Sequence, residues 1–332
     1  MSGAADTLFL PFSNGDLSAN SGEWLYLGAR APDKGFPDGL VDQLVCEQHM
    51  RGPFLDLQIR GANVSTAVMN AEPFAGAFIL IGKHRGENEA MIGRAASLCR
   101  QDAKVVIAGD KTIGIASLKR RIAQTVPIEG SLAKYHATAF WIDNEPKLKD
   151  LAALNAISMP TGFQTAPGMF SPESIDKGSA ILANFIDKSI RGSVADFGAG
   201  WGYLSQIIAQ NSAASSLDLF EAHWPSLEAA KANLRSIDRL PLVYHWLDIT
   251  RETITRRFDW IVMNPPFHTG RKTEPGLGEK FIETSEKALK PNGRLLLVAN
   301  SGLPYEKKIL AHFSNCRELE KRDGFKILLA EK

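Results

Sequence analysis

The segment Asp196-Phe197-Gly198-Ala199-Gly200-Trp201-Gly202 constrains this chain more than any other. Val194-Ala195-Asp196-Phe197 reads as a short strand that runs straight into glycines, and Tyr203 to Gln210 then has helical spacing. Glycines at such a turn let the backbone approach a ligand where a Cβ would clash. In an open α/β sheet that ligand lies outside the carboxyl ends of the strands. The rest of the C-terminal half keeps the alternation. Ser216 to Glu221, Val243 to Leu247, Trp260 to Met263 and Arg294 to Ala299 read as strands, and Glu228 to Leu234 and Lys280 to Leu289 as helices. The pattern predicts a parallel sheet covered on both faces.

The N-terminal half repeats part of this theme. Phe74 to Ile81 reads as a strand, Glu87 to Leu98 as a helix and Lys104 to Ala108 as a strand, in the order found again over Phe258 to Ala299. An internal duplication is expected. In the first copy Gly82-Lys83-His84-Arg85 stands where the second has Asn264-Pro265-Pro266-Phe267, so the first lacks the chemistry. Phe54 to Gly61 reads as a strand and turn without the glycine pair. With 332 residues the chain is comfortable for two domains. Asp143-Asn144-Glu145-Pro146 and Met159-Pro160-Thr161-Gly162 punctuate it, dividing residues 1–150 from 160–332.

Cys46, Cys99 and Cys316 are widely spaced, which argues against a disulfide framework or a zinc site and fits a reducing cytosol. No metal is expected. Met1 to Gly15 lacks the plan of a secretory signal, and no apolar run approaches the ~20 residues that span a bilayer. A cytoplasmic monomer with no membrane contact is the expectation. The net charge of +1 announces no basic field, so any nucleic-acid contact must come from patches.

The dinucleotide fingerprint would need a glycine where Tyr203 stands; GxGxG is instead the pattern of enzymes using S-adenosyl-L-methionine. Asp196, Gly198, Gly200 and Gly202 are therefore candidate cofactor residues. Glu221 ends the next strand, where a carboxylate accepts hydrogen bonds from both ribose hydroxyls. Asp248, just past the third strand, either meets the adenine amino group or caps a helix. Asn264-Pro265-Pro266-Phe267 follows the fourth strand into the same crevice. An exocyclic amine on a base is planar and poorly nucleophilic. The Asn264 side-chain oxygen and the Pro265 carbonyl can each accept one of its hydrogens, which aligns it and stabilises its developing charge. Pro266 stiffens the turn, and Phe267 can stack on the extruded base. His223, His245 and His268 are lone histidines; His268, beside the motif, is a candidate substrate contact.

At these residues the chain resembles the bacterial ribosomal RNA guanine-N2 methyltransferases with a methyltransferase small catalytic domain, closest to those of the small subunit. The resemblance covers residues 160–332 and rests on Pro167-Gly168-Met169-Phe170-Ser171, Asp176-Lys177-Gly178-Ser179, Asp196 to Gly202, Asn264 to His268 and Val298-Ala299-Asn300. It implies two tandem Rossmann-like domains of the class I methyltransferase type, the N-terminal one degenerate and a candidate for RNA recognition. It also implies that Phe170, Ser171 and Gly178 line the cofactor pocket. The implied activity is methylation of a guanine N2 in 16S ribosomal RNA, with the RNA or the small subunit as partner.

Lys83 to Arg121 holds nine Lys/Arg against four acids, a possible phosphate-contacting surface or simply a solvated face. Arg271-Lys272, in the loop after Phe267, is better placed to hold the target strand. Release-factor glutamine and DNA adenine are rival acceptors, since both nitrogens are planar. An RNA-binding protein that has lost catalysis and a nicotinamide-dependent oxidoreductase are the rivals from other classes.

Overall fold

The structure is a computed structural model that describes residues 3–18, 21–69, 72–152, 157–159, 162–266, 268–269, 272–273 and 275–332. The chain divides into two compact units, Met1–Asn155 and Ala156–Lys332.

The first unit runs α1 (Gly3–Ser13), β1 (Trp24–Leu27), β2 (Leu44–Glu47), α2 (Arg51–Ile59), β3 (Asn63–Ser65), β4 (Phe74–Leu80), α3 (Arg85–Leu98), β5 (Cys99–Asp110), α4 (Ile115–Ile122), β6 (Gly130–Lys134) and β7 (Ala137–Asp143). Its seven-stranded sheet has the order β3-β2-β1-β4-β5-β7-β6. The second unit opens with the short pair β8 (Ile157–Ser158) and β9 (Gln164–Thr165), followed by α5 (Lys177–Ala183), β10 (Arg191–Phe197), α6 (Tyr203–Asn211), β11 (Ala213–Glu221), α7 (Trp224–Asn233), β12 (Leu242–Trp246) and β13 (Phe258–Met263). It ends with β14 (His268–Thr269), β15 (Lys272–Thr273), α8 (Pro275–Ala288), β16 (Leu289–Asn300), α9 (Tyr305–Leu310), β17 (Asn315–Arg322) and β18 (Phe325–Glu331). Its main sheet has the order β12-β11-β10-β13-β16-β18-β17.

Neither sheet is wholly parallel. β5 to β7 and β16 to β18 pair antiparallel because the last two strands of each unit form a hairpin instead of crossing over. The second hairpin turns at Asp323 and Gly324, both at positive φ, as a tight primed turn requires. In the second unit Val194, Val262, Leu296 and Val298 pack on one side of the sheet, and Phe197, Ile261, Leu295 and Leu297 on the other. Both faces are buried, which is why these strands are continuously apolar.

The duplication extends to the register. β4 and β5 are out of step between Phe74 and Gly76, and β13 and β16 between Phe258 and Trp260, at matching positions. Leu27 pairs with Ile79 as Phe197 pairs with Met263, so Leu80 and Ile81, not Gly82 and Lys83, occupy the places of Asn264 and Pro265. By the same register Tyr26 replaces Asp196, Arg30 replaces Gly200, Pro32 replaces Gly202 and Gln48 replaces Glu221. The Tyr26 hydroxyl donates to the Arg30 carbonyl at 3.0 Å, and Gln48 Nε2 donates to the Ala29 carbonyl at 2.5 Å. In the first copy, side chains at the places of Asp196 and Glu221 are thus bonded to the unit's own loop backbone.

Residues 54–61 are not the expected strand. Leu55, Leu57 and Ile59 alternate with polar residues, but Phe54 and Leu57, three apart, are the buried pair, while Ile59 is 79% exposed. Helix α2 satisfies that spacing and stops at Gly61, whose φ is +75°. No helix among the described residues is long and apolar enough to cross a membrane.

Candidate active site

Strand order in the second unit reverses direction between β10 and β13, and ligands of open α/β sheets bind at that switch point. The glycine turn leaves β10 there and Asn264 leaves β13 beside it. An open cleft is lined by Phe170, Asp176, Ser179, Gly198 to Trp201, Tyr203, Leu204 and Asn264.

The turn is built from backbone bonds. Gly198 and Ala199 both donate to the Phe220 carbonyl, at 2.9 and 3.1 Å. Gly198, Gly200 and Gly202 have φ of +77°, +56° and +98°. A Cβ at Gly200 would meet nothing within 4 Å, so its left-handed backbone is what demands glycine here, and the space beside it stays open. At Gly202 a Cβ would come 3.3 Å from Ala230, so this glycine serves the packing of α6 on α7. At Gly178 a Cβ would likewise come 3.0 Å from the Phe325 ring, and this glycine is outside the cleft lining.

Glu221 bridges the turn and the next helix: Oε2 accepts from the Gly200 amide and Oε1 from the His223 amide, both at 2.8 Å. Burial pushes its pKa up, against these bonds. Each oxygen keeps a lone pair for a ligand hydroxyl. Asp196 is fully buried; Oδ2 accepts from the Ser205 hydroxyl at 2.6 Å, and Oδ1 has no partner. Burial, with the Glu221 charge nearby, pushes its pKa up to about 7 although the Ser205 bond opposes this. Asp248 is engaged in its own turn, Oδ1 accepting from the Thr250 amide at 3.0 Å and hydroxyl at 2.6 Å.

Asn264 is half-buried, and its amide nitrogen donates to Asp176 Oδ2 at 2.9 Å and to Ser179 Oγ at 2.8 Å. Pro265 is buried and Pro266 exposed. Phe267 and Arg271 lie outside the described residues, as do the side chains of His268 and Lys272, whose backbones form the antiparallel pair β14–β15.

A strap before α5 crosses the turn. The Phe170 carbonyl accepts from Trp201 Nε1 at 2.8 Å, leaving the ring 62% exposed at the cleft. Ser171, at φ +46°, donates its hydroxyl to the Ser174 carbonyl. Asn233 accepts from the Gln164 amide at 2.8 Å and donates to the Gln164 and Trp201 carbonyls at 3.0 and 2.9 Å. Asp176, Ser179, Trp201 and Asn233 take no role from the sequence pattern alone. Asp176 is visible as a helix cap three residues before Ser179, but its partner lies 88 residues on.

Two other expectations meet their surroundings here. His245 is not isolated: Nε2 lies 2.8 Å from Asp218 Oδ1, and its ring stacks on Phe220. Of the nine cations over residues 83–121, Arg85 and Arg121 pair with Glu89, Arg94 with Glu47 and Lys104 with Asp143.

Among the described residues no Lys or Arg lines the cleft, while Asp176 does and Asp196 and Glu221 stand behind the glycine turn. That field suits a cationic ligand and opposes a pyrophosphate, which disfavours a nicotinamide dinucleotide. The space at Gly200, the unpaired Asp196 oxygen and the remaining lone pairs of Glu221 fit S-adenosyl-L-methionine, which carries a sulfonium, an ammonium and ribose hydroxyls.

Comparison with known proteins gives a consistent picture. The profile of the methyltransferase small domain family matches residues 160–329. Ribosomal RNA small subunit methyltransferase C of Sodalis glossinidius is 30% identical over 263 residues, 75% of this chain and 71% of that protein. The protein of the same description from Photobacterium profundum is 27% identical over 258 residues, 75% of each chain. Among solved structures, the T. thermophilus 16S rRNA N2 G1207 methyltransferase RsmC, in complex with AdoMet and guanosine, superposes with a TM-score of 0.80 at 22% identity. That likeness covers 99% of this chain and 91% of the other, and establishes the two-domain class I methyltransferase fold.

Proposed function

The chain belongs to the methyltransferase small domain family, and we infer that it transfers a methyl group from S-adenosyl-L-methionine to the exocyclic N2 amino group of a guanine in 16S ribosomal RNA. The observation that carries the mechanism is the convergence of Asn264 with the glycine turn in one cleft whose described lining holds no cationic side chain.

S-adenosyl-L-methionine supplies an electrophilic methyl on a positively charged sulfur. Glu221 would hold its ribose, and Asp196 and the peptide edge of Gly198 to Gly200 its charged and close-approaching parts. Asp248 would keep one oxygen for the adenine while the other closes its turn. Asn264 Oδ1 and the Pro265 carbonyl accept the two hydrogens of the target amine, fixing the nitrogen lone pair toward the methyl. Both interactions strengthen as positive charge develops on that nitrogen. The methylated amine is acidic and can lose its proton to water, so no side-chain base is needed.

The base must leave its stack to reach Asn264, at a cost of a few kcal/mol. Phe267, stacking on the base, and His268, Arg271 and Lys272, holding the strand beyond Pro266, would offset that cost. In the first unit the exposed Lys83, Arg100, Lys111 and Arg120 would contact phosphates. The setting we propose is the cytoplasm, with residues 1–150 recognising RNA, residues 160–332 performing the transfer, the protein acting as a monomer and no metal taking part.

The test is methyl transfer from labelled cofactor offered separately small subunits, naked 16S RNA, DNA and a release factor. Label is expected in the small-subunit RNA. Label confined to DNA or release factor would keep the amine chemistry and overturn the acceptor.

A further inference from the structure

We propose that Asp176 and Ser179 are positioning residues that decide which end of the Asn264 amide faces the target amine. The inference rests on the reading of Asn264 as the acceptor for that amine.

An asparagine amide has nearly the same shape either way round, and only its oxygen can accept. Turned over, it would set its NH2 against the amine, donor against donor. Two acceptors prevent this by converging on Nδ2, Asp176 Oδ2 at 2.9 Å and Ser179 Oγ at 2.8 Å. Both N–H bonds of the amide are thereby used, and Oδ1 is the end left for the cleft. The reversed amide would instead place Oδ1 against the Asp176 carboxylate.

The acceptors are themselves fixed. Asp176 is the N-cap of α5, and the oxygen that holds Asn264 also accepts from the Ser179 amide at 2.9 Å. Ser179 is 7% exposed and sits one turn in. The carboxylate adds more than orientation. A charged acceptor strengthens the bond and draws the amide dipole toward itself, enriching Oδ1 in electron density. The second unit thus binds its catalytic amide to a helix start that the sequence carries 88 residues earlier.

The test uses Asp176→Ser, Ser179→Ala and the pair together in the full chain. Serine caps a helix about as well as aspartate but is too short to reach Asn264, so capping and orientation are separated. The pair is expected to lower kcat, measured at saturating AdoMet, at least 30-fold. In an Asn264→Ala background the same pair should change the residual kcat less than twofold, because the two residues act through Asn264. A pair that folds and keeps kcat within twofold of wild type would overturn the proposal. So would an equal loss in the Asn264→Ala background, which would mark a merely structural role. Ser179→Ala, which leaves the cap intact, carries the test alone if the pair does not fold; a threefold to tenfold loss is expected, and none would overturn the idea. A second readout needs no activity. The Asn264 side-chain amide protons, assigned by their loss from the ¹⁵N spectrum of Asn264→Ala, should exchange slowly in wild type and at least tenfold faster in the pair. Should wild type methylate no RNA, the acceptor reading fails, and this exchange measurement alone decides the positioning.

Discussion

Burial pushes the Asp196 carboxyl up to about 7, Glu221 adds to the rise and Ser205 resists it. The folded protein therefore holds that proton more tightly than the unfolded chain, whose carboxyl titrates near 3.8. Stability from this group is full below that value and is lost as pH rises through about 7. Asp196→Asn should remove the loss. The cofactor-free variant is expected to melt about 2–6 °C above wild type at pH 8 and within a degree of it at pH 4, by calorimetry. Identical melting at pH 8 would mean the charge is already compensated. Glu221→Gln sets an NH2 against the Gly200 or His223 amide and takes an acceptor from the ribose, and should weaken AdoMet about 10- to 100-fold by titration calorimetry. At this scale much of the candidate site was legible: Asp196, the glycines, Glu221 and Asn264 announce themselves because strand ends and glycine spacing are local signals. Asp176 and Ser179 did not, because a hydrogen bond across 88 residues leaves no trace in spacing.

Among the elements, the strap before α5 depends on Asn233, which bonds both the amide and the carbonyl of Gln164 and the carbonyl of Trp201. Asn233→Ala leaves these groups to water or unpaired, and should destabilise the second unit by about 1–3 kcal/mol. Because the strap carries Phe170 at the cleft, KM for AdoMet should rise several-fold with kcat nearly unchanged. Steady-state kinetics would count against this if kcat fell and KM did not. In the first unit, burial pushes the Glu47 carboxyl up, but bonds from His49, Arg94 and the Val68 amide outweigh it and set it at about 2. The stability it contributes is present above the ordinary value of 4.5 and is lost as pH falls from there through about 2. Arg94→Met leaves Glu47, 3% exposed, without that guanidinium and should cost about 3–5 kcal/mol in urea unfolding. Strands and helices of the second unit were legible because both sheet faces are buried and the apolar runs are long. Helix α2 was not: nine residues with apolar side chains at alternating positions satisfy a strand pattern as well as a helical one, and tertiary burial of Phe54 and Leu57 decided it.

The whole molecule carries two copies of one plan, of which one keeps an open crevice. Tyr26, Arg30, Pro32, Gln48 and Leu80 occupy the five places where a cofactor would need an acid, two glycines, a second acid and an asparagine. The duplication was legible as a repeated order of elements. Its true register was not, because Gly82-Lys83 looks more like a loop motif than Leu80-Ile81, and only sheet pairing aligns Ile79 with Met263. Saturating AdoMet should slow hydrogen exchange over residues 168–204 and leave residues 24–110 unchanged. Protection in the first unit would restore a second cofactor site that the register denies. The most direct measurement is nucleoside analysis of 16S RNA by mass spectrometry after reaction with wild type or Asn264→Ala. The expected result is N2-methylguanosine with wild type and at least a hundredfold less with the variant. Methylation at another position or base, or N2-methylguanosine formed equally by Asn264→Ala, would contradict the account.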